Sequence, residues 1–190
     1  GTKPLTVVTL YDLIPYLNPD PNWPSHYKPY YDRKIESLKQ ADLLLSISDY
    51  ARKEAGAALP ELAARIVNMS SACDPKFSPG NVDIRRSTDL FQRFGVTRTF
   101  LMSASILEPR KNFDQLLRAF AILPEDIRRH RQIVLVGAGD DGMVDSLRQL
   151  ASGLGFDQGQ LVITGQVSDD DLLDLYRLCE LFVFPSISKI

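Results

Sequence analysis

"FLMSASILEPRKNFDQLLRAFAILP", residues 100–124, decides how the rest of the chain is read. Its first six residues form an apolar run of strand length, the pattern of a strand covered on both faces. From Phe113 the period changes. Phe113, Leu116, Leu117 and Phe120 fall on one face of a helix, and Pro124 stops the pattern. Between the two periods stand Arg110 and Lys111. A helix N-terminus already carries positive partial charge and spare N–H donors, so a cation pair there is unfavourable unless something negative shares the site.

The same alternation extends in both directions. Apolar, β-branched runs recur at "LTVVTL" (5–10), "DLLLSIS" (42–48), "RIVNMS" (65–70), "QIVLVG" (132–137), "LVITG" (161–165) and "LFVFPS" (181–186). Two further helical stripes lie between them: Met143, Leu147, Leu150, Ala151 and Leu154, then Leu172, Leu175, Tyr176 and Cys179. The latter is entered by Ser168-x-x-Asp171, a capping-box-like start. Continuous rather than alternating strands imply burial on both faces, as in a parallel sheet, so the fold class is α/β built from βαβ units. Residues 72–98 mix Pro, Gly, Asp and charge and break the rhythm, which places a domain junction there. The expected organisation is a three-stranded piece over 1–78, a linker over 79–97 and a β-α-β-α-β-α-β piece over 98–190. Both are expected to be incomplete Rossmann-like domains, and Gly1-Thr2, almost on top of a strand, reads as a cut edge.

Composition narrows the function classes. The 190 residues carry a net charge of −2, with no basic field suited to nucleic acid. Cys73 and Cys179 lack metal-ligand spacing and read as reduced core cysteines, and His26 and His130 as lone surface or packing residues. No apolar run approaches the roughly 18 residues of a spanning helix, and no signal peptide opens the chain, so a cytoplasmic location is expected.

Ligands of open parallel sheets bind at the carboxyl ends of the strands, near the point where strand order reverses. "ILEPRKN" (106–112) follows the first strand of the second piece and should lie there. Arg110 offers planar, bidentate donors and Lys111 a compact charge, a pair suited to phosphate or pyrophosphate. The alternative is a solvated surface on which they pair with Glu108 and Asp114. "GAGDDG" (137–142) is a G-x-G-x-x-G after a strand, but no acidic residue closes the next strand, which argues against dinucleotide binding. A tight turn and a backbone approach to a nucleotide both remain open for it. Asp169, Asp170 and Asp171 read as favourable anions in a first helical turn rather than as metal ligands. "IRRHR" (127–131) reads as a solvated turn, with a weak contact to an anionic membrane as the alternative.

Taken together, these motifs resemble the retaining GT-B glycosyltransferases of family 4. The resemblance runs through "TLYDLIPYLNPD" (9–20), "ADLLLSISDYARKEA" (41–55), "RIVNMSSACDPKFSP" (65–79), "ILEPRKN", "IVLVGAG" (133–139) and "LVITGQVSDDDLLDLYRLCELFVFPS" (161–186). The "EPRKN" form is seen among many mannosyltransferase-like members. The resemblance implies two facing Rossmann-like domains and a nucleotide-sugar donor in place of any cofactor, with no required metal. Lys111 would contact the donor pyrophosphate and, with Arg110 beside it, assist its departure, while Glu108 orients the loop. Ser105 would occupy the place of a second phosphate-binding Arg. The backbone around Gly137 and Gly139 would approach the nucleotide, and Gly165, Gln166 and Val167 the base. On the acceptor side, Tyr11 stands where many members have an active-site His, followed by Asp12. Ala104 and Ala72 replace frequent glycines, and Ser71 an interdomain Asn. The family's "E-G-F-G" loop and Glu-x7-Glu segment are absent from the chain.

The implied parent reaction is retaining transfer of a hexose, mannose from GDP-mannose by preference, to a glycan or lipid-linked acceptor. The chain alone is expected to be inactive, and the parent to be cytoplasmic or peripheral on the inner membrane face. The alternative is a non-catalytic nucleotide-binding or interaction module on a degenerate GT-B fold. A homodimer is expected to cover exposed apolar edges near Val7, Phe182 and Phe184.

Overall fold

The computed structural model describes residues 4–19 and 24–187. What the sequence leads one to expect of residues 1–3, 20–23 and 188–190, including the cut edge at Gly1-Thr2, lies outside these. The chain divides after Cys73 into two compact units, the second spanning Asp74–Ile187.

In the first unit, β1 (Val7–Leu10) is followed by α1 (Ile14–Leu17), α2 (Tyr27–Leu38), β2 (Leu43–Ser46), α3 (Asp49–Ala58), a 3-10 segment (Pro60–Arg65) and β3 (Ile66–Asn68). The strands are parallel in the order β1-β2-β3, with Val8 opposite Leu44 and Leu44 opposite Ile66. Ser48 caps α3, its hydroxyl accepting from the Ala51 N–H at 3.0 Å. Leu10, Leu44 and Ile66 pack with Ile35 of α2 and Ala55 of α3 in one cluster. The expected burial on both strand faces does not hold here. Val7 and Val67, on the opposite face of the pleat, are half exposed, because α2 and α3 supply the same side of the sheet.

The second unit begins with α4 (Ile84–Phe94), then β4 (Thr99–Ala104), a 3-10 turn (Pro109–Lys111), α5 (Phe113–Ala121), α6 (Glu125–Arg128) and β5 (Arg131–Val136). It continues with α7 (Asp141–Gly153), β6 (Leu161–Ile163), α8 (Asp169–Leu178) and β7 (Leu181–Phe182). All strands are parallel, in the order β6-β5-β4-β7. Here two-sided burial holds. Ile133 and Leu135 of β5 pack under α5 and α7, while Val134 and Val136 face Leu175 of α8 and the Phe91 ring of α4. The buried Gln132 side chain is fully satisfied: it accepts from the Thr97 and Arg98 N–H groups and donates to the Gly95 and Gly159 carbonyls.

Three expectations need correction. The unit boundary falls after Cys73 rather than at 78. The supposed linker 79–97 contains α4, capped by Asp83 and ended by Gly95 in the left-handed conformation. Leu90 of α4 is fully buried and Phe91 meets Phe100 edge to face at 6.2 Å, so this segment is part of the second core. Cys73 is exposed rather than a core residue, because the chain leaves β3 before reaching it; Cys179 is half buried, and both thiols are free.

Candidate functional site

Strand order fixes where a ligand can enter the second unit. The chain builds outward from β4 to β5 and β6, then returns to the far side of β4 as β7. In open parallel sheets the ligand crevice lies at such a reversal, here outside the carboxyl ends of β4 and β7. Two loops meet there, Ser105–Asn112 after β4 and Val183–Ile187 after β7. They are joined by main-chain and side-chain bonds. The Ile187 N–H donates to the Arg110 carbonyl at 3.1 Å, and the Asn112 side-chain amide donates to the Pro185 carbonyl at 3.1 Å.

The two cations of this corner are in different states. Lys111 is buried, 8% exposed, with Nζ 5.8 Å from the centroid of the Phe184 ring. This differs from a solvated surface lysine. Arg110 stays partly exposed and forms an ion pair with Glu108, Nη2 to Oε1, at 2.6 Å. The pair is not an aligned hydrogen bond: Glu108 Oε1 and Arg110 Nη1 are both shielded from solvent without a hydrogen-bond partner. Glu108 Oε1 is engaged by the ion pair, so Arg110 Nη1 is the shielded donor with unspent hydrogen-bonding capacity here.

The glycines of "GAGDDG" have a local explanation. Gly137 has φ +144°, and a Cβ there would stand 1.9 Å from the Ser105 carbonyl oxygen. At Gly139 a Cβ would meet the Leu107 Cβ at 2.7 Å. The loop after β5 thus lies directly against the loop after β4, bonded through Ser105 N–H to Val136 O (3.0 Å) and Leu107 N–H to Ala138 O (2.8 Å). Gly137 N–H in turn donates to Gly165 O at 3.1 Å. Ser105, Glu108, Arg110, Lys111, Gly137, Gly139 and Gly165 are therefore gathered along one carboxyl edge. Gln166 is exposed at its end, while Val167 is half buried against the second core.

Residues 88–189 match the family described as glycosyl transferases group 1. The chain belongs to that family. Among curated glycosyl transferases it is 33% identical over 189 residues to the serotype-specific mannosyltransferase WbdA of Escherichia coli, covering 97% of this chain and 23% of that protein. It is 29% identical to the O-antigen chain mannosyltransferase B of Escherichia coli, covering 95% of this chain and 46% of that one. The chain therefore spans about a quarter of the length of the first relative and under half of the second. Among solved structures, Anabaena HepE in complex with UDP-glucose superposes with a TM-score of 0.73 at 21% identity, over 97% of this chain and 47% of that one. WaaG, a glycosyltransferase involved in lipopolysaccharide biosynthesis, gives 0.66 at 17% identity, over 87% and 44%. The fold is that of the GT-B glycosyltransferases.

Other site expectations fall elsewhere in the chain. Tyr11 and Asp12 belong to the first unit, just beyond β1; Tyr11 is exposed, and Asp12 Oδ1 accepts from the Ile14 N–H at 2.9 Å at the start of α1. Two of the three acidic residues that open α8 are ion-paired within the second unit. Asp169 pairs with Lys76 at 2.8 Å, and Asp171 receives Arg86 and Arg93 from α4 at 2.6 and 2.8 Å. The Arg93 hydrogen bonds, with Arg86 and Ser168 adding to them against the opposing effect of burial, hold the Asp171 carboxyl far below the usual carboxylate range. Among the described residues no group of three or more His, Cys, Asp or Glu could hold a metal ion. Nor is any described helix long and apolar enough to cross a membrane. Sequence reasoning missed Asn112, Phe184 and Pro185 as parts of the crevice, and the arginines of α4.

Proposed function

We propose that this chain carries the donor-diphosphate corner of a retaining family 4 mannosyltransferase. The parent enzyme would move mannose from GDP-mannose to a glycan or lipid-linked acceptor. The mannosyltransferase relatives support the sugar, and the nucleotide-sugar complex of HepE supports the donor class. The single observation that carries the reading is Lys111, a cation taken out of water at the switch point of a parallel sheet.

As the glycosyl–phosphate bond breaks, negative charge accumulates on the departing diphosphate, and a fixed cation stabilises that charge as it grows. In this reading Lys111 does so directly. Arg110 adds donors once its contact with Glu108 loosens, and Ser105 and the edge at Gly137, Gly139 and Gly165 border the nucleotide. Gln166 and Val167 lie toward the base. Tyr11 and Asp12 serve the acceptor side. The reaction needs no metal, and the parent works in the cytoplasm or against the inner membrane face.

Calorimetric titration of GDP into the 190-residue chain tests the reading. Lys111→Ala should weaken binding roughly ten- to hundredfold, the range of a lost charge-assisted contact. Added EDTA should change nothing. Equal affinity in wild type and Lys111→Ala would overturn the assignment.

A further inference from the structure

Asn112 closes the sequence motif around Lys111 but adds no charge to the crevice. Several bonds nevertheless meet at this one residue. Its N–H donates to the Pro109 carbonyl at 3.0 Å and closes the 3-10 turn; its carbonyl accepts from the Leu116 N–H at 3.3 Å and opens α5. Its backbone is left-handed, with φ +60° and ψ +34°, a conformation that asparagine and glycine tolerate best. Its side-chain amide crosses to the Pro185 carbonyl in the loop after β7. Pro185 directly follows Phe184, whose ring lies under the Lys111 ammonium. The Asn112 side chain thus ties the turn that presents the cation to the loop that presents its aromatic neighbour, beside the bonds from the Ser186 hydroxyl and the Ile187 N–H to the Arg110 carbonyl.

We propose that Asn112 is a positioning residue for the anion site. It fixes the Lys111 ammonium by clasping the loops after β4 and β7 across the switch point. The inference rests on the proposed diphosphate reading and adds the residue that sets its geometry. Left-handed backbone alone would be served as well by glycine. The bond to Pro185 requires a donor, which glycine lacks and aspartate, once ionised, also lacks.

The test combines GDP titration of the 190-residue chain with amide hydrogen exchange at Ile187, whose N–H bonds to the Arg110 carbonyl in the same clasp. Asn112→Gly keeps the backbone conformation and removes the bond; Asn112→Asp keeps the shape and removes the donor. Both should bind GDP about three- to tenfold more weakly than wild type and exchange faster at Ile187. In a Lys111→Ala background, Asn112→Gly should cause no further loss, because its effect runs through the ammonium. Wild-type affinity in Asn112→Gly, equal losses in both backgrounds, or unchanged Ile187 exchange would each overturn the inference and leave the nucleotide reading standing. Absence of GDP binding by wild type would overturn the nucleotide reading, and this inference with it.

Discussion

Replacing Gly137 by alanine separates two reasons for a glycine at the end of β5. If the position is bare so that a nucleotide can approach, Gly137→Ala should lower GDP affinity and leave folding intact. The structure gives another reason. The new Cβ would stand 1.9 Å from the Ser105 carbonyl oxygen and 2.8 Å from its carbon, both backbone atoms. Ser105 has little freedom to yield, because its N–H is bonded to Val136 and the Gly137 N–H to Gly165. The φ of +144° lies in a region reserved for glycine and adds a cost of about 1–3 kcal/mol by itself. With displacement of two packed loops, the total should be on the order of 3–5 kcal/mol, a large share of a domain's stability. Gly165→Ala is the control: φ is +71° and nothing lies within 4 Å of the added carbon, so only the left-handed backbone is penalised, by about 1 kcal/mol. Urea unfolding followed by circular dichroism reads both. The reasoning is refuted if Gly137→Ala costs no more than Gly165→Ala.

Two further outcomes are expected. Leu90→Ala, in α4, should destabilise the second unit by about 2–5 kcal/mol in the same urea assay, since the side chain is fully buried; an unstructured linker would give no loss. Asp171→Asn should reduce stability at neutral pH by on the order of 1 kcal/mol, with the acid dependence altered in a defined direction. The folded carboxyl is held below its unfolded value, so its contribution is complete above about pH 4 and disappears as pH falls toward the lowered value. The difference between wild type and variant in thermal melts should therefore shrink below about pH 4; a difference that grows there would contradict the pairing with Arg86 and Arg93.

Legibility in the sequence followed the range of the forces involved. β4 and β5 were readable to within a residue, because burial on both faces writes a mainly apolar run with no strict alternation. Phe113, Leu116, Leu117 and Phe120, all buried, were readable from one helical turn to the next. α4 was not, although Ser87, Leu90, Phe91 and Phe94 keep helical spacing, because the Pro and Gly residues before Asp83 dominated the window. β7 shrinks to Leu181–Phe182, as Pro185 and its loop turn away to meet Arg110 and Asn112. Contacts such as Asn112 with Pro185 or Arg86 with Asp171 join residues more than seventy positions apart, and no local period records them. The burial of Lys111 was hidden for the same reason: its aromatic neighbour arrives from the other side of the switch point.

That neighbour bears on why the cation is where it is. A parallel sheet that builds outward in one direction and then returns must bring two loops together beside its first strand. Packing alone would favour apolar side chains in that meeting place, since replacing a buried charge by a hydrophobe is often stabilising. Here one loop contributes Phe184 and the other an ammonium group beside it. Nearby, Glu108 spends its charge on Arg110. The proposed diphosphate predicts a sign: GDP should raise the melting temperature of wild type more than that of Lys111→Met, which keeps the length of the side chain and removes its charge.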